Sequence, residues 1–312
     1  MASTTKIMTF IIAVENCEDL YETVTISRVA AYTEGSTMHL AEGETISLHD
    51  LLYGLLLNSG NDAAVAIAEH IGGTVADFCN MMNDRASKIG ATNTNFKSPH
   101  GLDLDGHYTT AYDLALIAKE AYKQPLFREI ISTSTITLSG HYLKNTNPLL
   151  GKYTDVIGGK TGYTTVAGRC LVSSAKKDGV TLVCVTLNDR NDWNDHISLY
   201  DYAFEKYRGV DCKDADFCAD IPCVGGDKDS VTVTGEKNNT IVLKREDCDK
   251  IKKKIFIDSF LYAPIEKNES VGRIEYTLGG KLLYKCNIVA GEKIKSDKKS
   301  VSIFSAIGNL FS

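Results

Sequence analysis

Residues 2–14 read Ala2-Ser3-Thr4-Thr5-Lys6-Ile7-Met8-Thr9-Phe10-Ile11-Ile12-Ala13-Val14. The stretch has helical propensity and opens on a Ser-Thr-Thr cluster suited to a helix N-terminus. At a helix start, residues three apart share a face, so Ser3 and Lys6 are neighbours. A serine hydroxyl is a poor nucleophile until a neighbour removes its proton. A lysine does so when burial and nearby positive groups bring its pKa toward neutrality. Taken alone, Ser3 is more simply an N-cap. The S-x-x-K spacing should arise roughly once by chance in a chain of this size, and it recurs at Ser173, Ser174 and Ser296. Ser173 and Ser174 fall on a predicted strand, where such pairs point to opposite faces.

Two more short motifs follow in order, Ser59-Gly60-Asn61 and Lys160-Thr161-Gly162. The first breaks a helical pattern carried by Leu51, Leu52, Leu55 and Leu56, which resumes over Ala63 to Ile71. Polar side chains at such a break can face a cleft. The second sits just before a hairpin strand: Lys160 brings positive charge, Thr161 a hydroxyl able to grip a carboxylate, and Gly162 close backbone approach. Together the three motifs suggest acyl transfer on a substrate with a free terminal carboxylate.

Around them, Thr25 to Tyr32 and Thr45 to Ser47 lean toward strand. Val75 to Ile89, Ala111 to Tyr122 and Ser198 to Tyr207 read as helices. Val156-Ile157, Arg169 to Ala175 and Val180 to Leu187 read as strands, with Lys177-Asp178-Gly179 as a hairpin turn. Beyond Gly209 the chain becomes short alternating segments (Val231 to Val233, Thr240 to Leu243, Arg273 to Thr277), with turns at Gly235 and Gly279-Gly280, a small all-β module. The 312 residues suffice for two cores. A net charge of −6 argues against nucleic-acid binding, and Lys252-Lys253-Lys254, flanked by acids, reads as a solvated helix face. Cys212, Cys218 and Cys223 lack the C-x-x-C spacing of a zinc site and leave a disulfide open; Cys170 and Cys184 read as small core residues. His100 and His107, near Asp103 and Asp105, read as a structural loop. No signal peptide or membrane span is visible in the chain; the apolar run Ile7 to Val14 is too short for one.

The run Ala2 to Thr9 resembles the nucleophile segment of D-alanyl-D-alanine carboxypeptidases, the low-molecular-mass penicillin-binding proteins. Asn58-Ser59-Gly60-Asn61-Asp62-Ala63-Ala64 and Gly159-Lys160-Thr161-Gly162-Tyr163-Thr164 resemble that family's other two motifs. Pro99 to Asp103, His107 to Ala111 and Ala167 to Val172 are also similar, and Ala263-Pro264-Ile265 and Ser270-Val271-Gly272 continue the likeness into the β module. The resemblance implies an α/β (α+β) DD-peptidase/β-lactamase-like transpeptidase fold, an antiparallel sheet flanked by helices with a small all-β domain after it. It implies a catalytic domain over 1–208, a β-rich domain over 209–300 and a short tail over 301–312. It also implies roles: Ser3 attacks the carbonyl between two D-alanines and Lys6 takes its proton. Ser59 and Asn61 move protons and hold the substrate backbone, and Lys160 and Thr161 orient the carboxylate. Backbone N–H groups of Ser3 and Tyr163 form the oxyanion hole, beside Gly162. The expected partners are peptidoglycan stem peptides ending in D-Ala-D-Ala and β-lactams; no metal, other cofactor or nucleic acid is expected.

Some features depart from the family. Some relatives place an additional arginine near the position of Asp195, so carboxylate recognition is expected to rest more on Lys160 and Thr161. Relatives begin with a signal peptide and strand-forming residues before the nucleophile, whereas Met1 stands two residues before Ser3. The expectation is that an upstream extension exists and carries the protein out of the cytoplasm, and that the sequence as given is poorly stable or inactive. The tail, with Ile303, Phe304, Ile307, Leu310 and Phe311 on one helical face, reads either as an amphipathic membrane anchor or as a frayed end. Two alternatives to the carboxypeptidase remain: a class A-like β-lactamase, although no E-x-x-L-N loop lies between Asn61 and Lys160, and a truncated, non-catalytic wall-binding remnant.

Overall fold

A computed structural model describes residues 1–297; the 301–312 tail lies outside the described residues. The described residues divide into two compact units, one of Met1–Lys177 with Thr181–Phe204, the other of Asp178–Val180 with the described residues from Glu205 on.

In the first unit a 3-10 turn over Ala2–Thr5 leads into α1 (Lys6–Glu15). Helix α1 is apolar apart from Lys6, Thr9 and Glu15, and Ile7, Met8, Phe10 and Ile11 are buried in the core, as a helix so rich in apolar residues must be. Each such side chain contributes roughly 1.5–3 kcal/mol by leaving water. Then come β1 (Thr23–Thr25), α2 (Arg28–Ala31), β2 (Thr45–Ser47), α3 (Leu48–Leu57), α4 (Asn61–Gly72), α5 (Val75–Ile89), α6 (Ala111–Ala121) and α7 (Pro125–Ser132). The Thr25 to Tyr32 stretch is therefore not a strand. Ser27 accepts a hydrogen bond from the Ala30 amide and starts a helical turn, a local bond that outweighs β-branched propensity. Ser47, Thr74 and Thr110 cap α3, α5 and α6 in the same way.

A hairpin of β3 (Thr135–Leu138) and β4 (His141–Lys144) precedes the main sheet of this unit, β5 (Val156–Thr164), β6 (Gly168–Lys177) and β7 (Val180–Thr186), in the order β5-β6-β7. Lys160, Thr161 and Gly162 lie within β5 rather than before it, because the strand continues through two glycines that carry no propensity signal. Helix α8 (Asp192–Lys206) starts six residues before the expected Ser198, since its polar first turn reads as loop.

The second unit is all β apart from short 3-10 turns: β8 (Tyr207–Cys212), β9 (Cys218–Val224), β10 (Ser230–Gly235), β11 (Asn239–Lys244), β12 (Lys252–Ile257), β13 (Leu261–Tyr262), β14 (Ser270–Leu278) and β15 (Lys281–Ala290). Six of these form one sheet, β12-β14-β15-β10-β9-β13, while β11 and β8 pair separately. Val231, Val233, Ile274 and Ile288 fill its core. Two expectations need correction. Gly235 ends β10 instead of making a turn, and the Lys252 to Lys254 run is a strand at a sheet edge, not a helix face. Lysines on an edge strand discourage pairing with another chain.

No helix among the described residues is long and apolar enough to cross a membrane. All nine cysteines are free, with Cys79, Cys170, Cys212, Cys223, Cys248 and Cys286 buried, Cys17 and Cys184 half-buried and Cys218 exposed.

Candidate active site

Ser3 makes no capping bond; the 3-10 turn that carries it ends at Thr5, and Lys6 is the first residue of α1. In a 3-10 turn, residues i and i+3 eclipse. The Lys6 Nζ accordingly lies 2.9 Å from Ser3 Oγ. Ser3 is half-buried and opens on a cleft, whereas Lys6 is fully buried beneath it.

Two more acceptors surround the Lys6 nitrogen, Asn61 Oδ1 at 2.7 Å and the His100 carbonyl at 2.8 Å. A neutral amine has two N–H groups, enough for these two, and its lone pair is then left for the Ser3 hydroxyl. Electrostatics favour that neutral form. Burial holds the Lys6 pKa well below the ordinary lysine value and the Lys160 charge lowers it further, while Asp62 pulls the other way.

Asn61 opens α4 after the break foreseen at 59–61, and Ser59 there adopts a left-handed φ of 59°. Its amide is oriented by its neighbours: Nδ2 donates to the Glu34 carbonyl at 2.6 Å, which turns Oδ1 toward Lys6. Next to it the buried carboxylate of Asp62 accepts from the Met38 amide at 3.1 Å, the Leu40 amide at 3.2 Å and the Thr37 hydroxyl. These bonds tie the 34–40 loop to the start of α4.

Lys160 projects from β5 into the wall of the cleft and is 1% exposed. Its Nζ lies 3.0 Å from Ser59 Oγ and donates to the Thr161 carbonyl at 2.8 Å. Burial lowers its pKa to about 7. Thr161 faces the cleft, sharing a hydrogen bond of 2.8 Å with Thr146 Oγ1. Gly162 lets β5 close on the nucleophile turn: a Cβ there would stand 2.9 Å from the Ser3 amide nitrogen. Tyr163, which also lines the cleft, is 67% exposed.

The cleft, about 500 Å³, is lined by Ser3, Ser59, Thr161, Gly162 and Tyr163, and also by Ser36, Thr146, Arg169, Cys170, Asp192 and Trp193. The second set was not identified as site residues in the sequence. Arg169 and Cys170 stand within a run of family likeness, but nothing in their spacing marks them as cleft residues, and Cys170 is not simply a core filler.

His100 and His107 are loop residues, as expected, and they hold the site's wall. Burial lowers both pKa values to about 4, so both rings are neutral. His107 pairs with Thr5 Oγ1 at 2.9 Å and accepts from the Lys97 amide at 3.0 Å. Between them Gly101 (φ 92°) passes so close to the nucleophile turn that a Cβ would sit 1.9 Å from the Ala2 carbonyl oxygen.

The geometry sets a buried lysine amine against one serine hydroxyl and a second buried lysine against a second serine. Comparison with known proteins agrees with it. The family model for D-alanyl-D-alanine carboxypeptidases matches residues 1–191, and that for the C-terminal domain of penicillin-binding protein 5 matches 213–296. The chain is 33% identical over 308 residues to the D-alanyl-D-alanine carboxypeptidase DacF of Bacillus subtilis, covering 94% of this chain and 79% of that one. It is 31% identical to DacC of Escherichia coli, covering 94% and 78%. Penicillin-binding protein 5 of Haemophilus influenzae superimposes with a TM-score of 0.72 at 30% identity, over 95% of this chain and 90% of that one. With family models matching both parts of its length and a curated relative 33% identical over 94% of it, the chain belongs to the D-alanyl-D-alanine carboxypeptidase family.

Proposed function

We propose that the protein is a serine D-alanyl-D-alanine carboxypeptidase that removes the terminal D-alanine from peptidoglycan stem peptides, with Ser3 as nucleophile. The observation that carries this reading is the Lys6 nitrogen held against Ser3 Oγ at 2.9 Å while its other neighbours are both acceptors. Lys6 takes the hydroxyl proton as Ser3 Oγ bonds to the carbonyl carbon of the penultimate D-alanine. The oxyanion is received by the backbone N–H groups of Ser3 and Tyr163, an interaction worth about a hundred- to thousand-fold in rate.

When the C–N bond breaks, the departing amine takes a proton from Ser59 Oγ, which recovers one from Lys160. A pKa of about 7 suits Lys160 to give a proton here and to regain it from the water that cleaves the acyl-enzyme. Lys6 returns its proton to Ser3 in that second half. Asn61 holds Lys6 and the substrate backbone, and Thr161 meets the substrate carboxylate. β-Lactams acylate the same serine. The substrate places the reaction outside the cytoplasm.

A class A-like β-lactamase would need a carboxylate in the cleft to activate the deacylating water. Among the described residues lining it, Asp192 is the one carboxylate, and it is engaged by Arg169. Incubation with labelled penicillin and with a peptide ending in D-Ala-D-Ala tests the reading. Label on Ser3 and release of D-alanine are expected, both lost in Ser3→Ala. Label on another residue would overturn it.

A further inference from the structure

The wall of the cleft contains a charged group that the proposed chemistry leaves without a task. Arg169, near the start of β6, lines the cleft with Asp192 and Trp193 from the first turn of α8. Its Nη2 donates to Asp192 Oδ1 at 2.6 Å and its Nε to Oδ2 at 3.3 Å. The guanidinium lies 4.2 Å from the centre of the Trp193 ring. Bond and ring together fix the plane of the group. Asp192 takes two of the five N–H donors of an arginine, leaving the end-on Nη edge. The Arg169 side chain is 35% exposed and that of Asp192 5% exposed, so the arginine is the accessible partner.

The strand register places this edge beside the carboxylate-gripping motif. Arg169 stands directly across from Tyr163, and Thr161 lies two residues along β5 on the same face. A diagonal pair of that kind is within reach of a long side chain.

The two motif lysines are poorly suited to hold a carboxylate, and Lys152, which stands over the Trp193 ring at 4.5 Å, does not line the cleft. Lys6 must be neutral to act as base. Lys160 is buried in the wall, engaged with Ser59 and the Thr161 carbonyl, and has a pKa of about 7. Among the described residues that line the cleft, Arg169 is the one cation, and a guanidinium stays charged at every working pH. The charge of Asp192 is balanced by the pair itself and by the N-terminus of α8, so a second anion at the outer edge is not opposed.

We propose that Arg169, positioned by Asp192 and Trp193, binds the terminal carboxylate of the substrate together with Thr161 and thereby makes the enzyme select acyl donors that end in a free carboxylate. The expectation that recognition rests on Lys160 and Thr161 is thus revised: Lys160 serves Ser59, and the permanent charge comes from β6. The inference depends on the carboxypeptidase reading above.

Two substrates separate the possibilities: a peptide ending in D-Ala-D-Ala, and an acyl-D-alanine alkyl thioester, which keeps a scissile carbonyl but has no carboxylate. Arg169→Gln should lower kcat/KM for the peptide by about 10- to 100-fold, as expected for losing a charge-assisted bidentate bond, and leave the thioester rate within about 2-fold. Arg169→Lys, which keeps charge without the fork, should fall between on the peptide and match the unaltered chain on the thioester. Equal losses on both substrates would show a structural pair and overturn the inference, and so would no loss on either. Failure of the unaltered chain to cleave either substrate would instead bring down the carboxypeptidase reading, and this inference with it.

Discussion

The Nζ of Lys160 lies 3.0 Å from Ser59 Oγ, inside the cleft wall and on a residue whose backbone is in the left-handed region. That contact couples β5 to the break between α3 and α4, and under the proposed chemistry the state of one buried amine decides whether Ser59 can give up a proton.

A pH profile follows from this pair. Under the proposed chemistry, activity requires Lys6 neutral and Lys160 charged. It should fall at low pH as Lys6 gains a proton, and fall again above about 7 as Lys160 loses one. Lys160→Arg should lower the maximum rate but remove the alkaline limb, because a guanidinium does not titrate there. The measurement is kcat/KM for D-alanine release from pH 5 to 10; an unchanged alkaline limb in the variant refutes the assignment.

Stability should respond to the same group. Between about 7 in the folded chain and the ordinary lysine value in the unfolded one, the unfolded state holds more protons, so stability rises with pH across that window. The slope from one such group is at most about 1.4 kcal/mol per pH unit. In urea titrations at pH 7, 8 and 9, the wild-type advantage over Lys160→Met should grow with pH. The single tryptophan, Trp193, reports on the first unit. A difference that stays flat would contradict the buried, shifted amine.

Asp62→Asn should act at a distance on the base. Losing the carboxylate removes a charge that raises the Lys6 pKa, so the acidic limb of the profile should move to lower pH. The amide would also set N–H groups against the Met38 and Leu40 amides, costing about 2–4 kcal/mol. Stopped-flow acylation by penicillin across pH, with an unfolding curve, reads both effects.

Gly162→Ala and Gly101→Ala differ in what they disturb. A Cβ at 162 meets the Ser3 backbone amide at 2.9 Å, at the edge of the cleft, so the nucleophile turn must shift and acylation should fall by about 10-fold or more. A Cβ at 101 would lie 1.9 Å from the Ala2 carbonyl, at φ 92°, and should cost about 2 kcal/mol or more. Acylation by Gly101→Ala at the wild-type rate would show that the His100 carbonyl is not needed to hold Lys6.

What could be read from the sequence was local. Ser3 and Lys6 are three residues apart and Ser59 and Asn61 two apart, and each motif combines the residue types acyl transfer needs, so three short motifs announced much of one cleft. The break at 59–61 was visible because leucines stop there. Arg169, Asp192 and Trp193 were hidden as site residues because a hairpin and a helix start bring them together across more than twenty residues. Asp192 and Trp193 also lie in a polar turn with no apolar period. The Lys252 to Lys254 run misled for a related reason: charged residues on an edge strand carry no alternation, so a helix face and a sheet edge look alike. The tail lies outside the described residues.

The free cysteines make the chain its own recorder of unfolding. Burial pushes the Cys79 thiol up to about 11 and that of Cys184 up to about 12, so neither is a thiolate at neutral pH. An alkylating reagent given to the native protein should therefore mark Cys218 first, and each adduct on one of the six buried cysteines should mark a segment that has opened, as read by mass spectrometry.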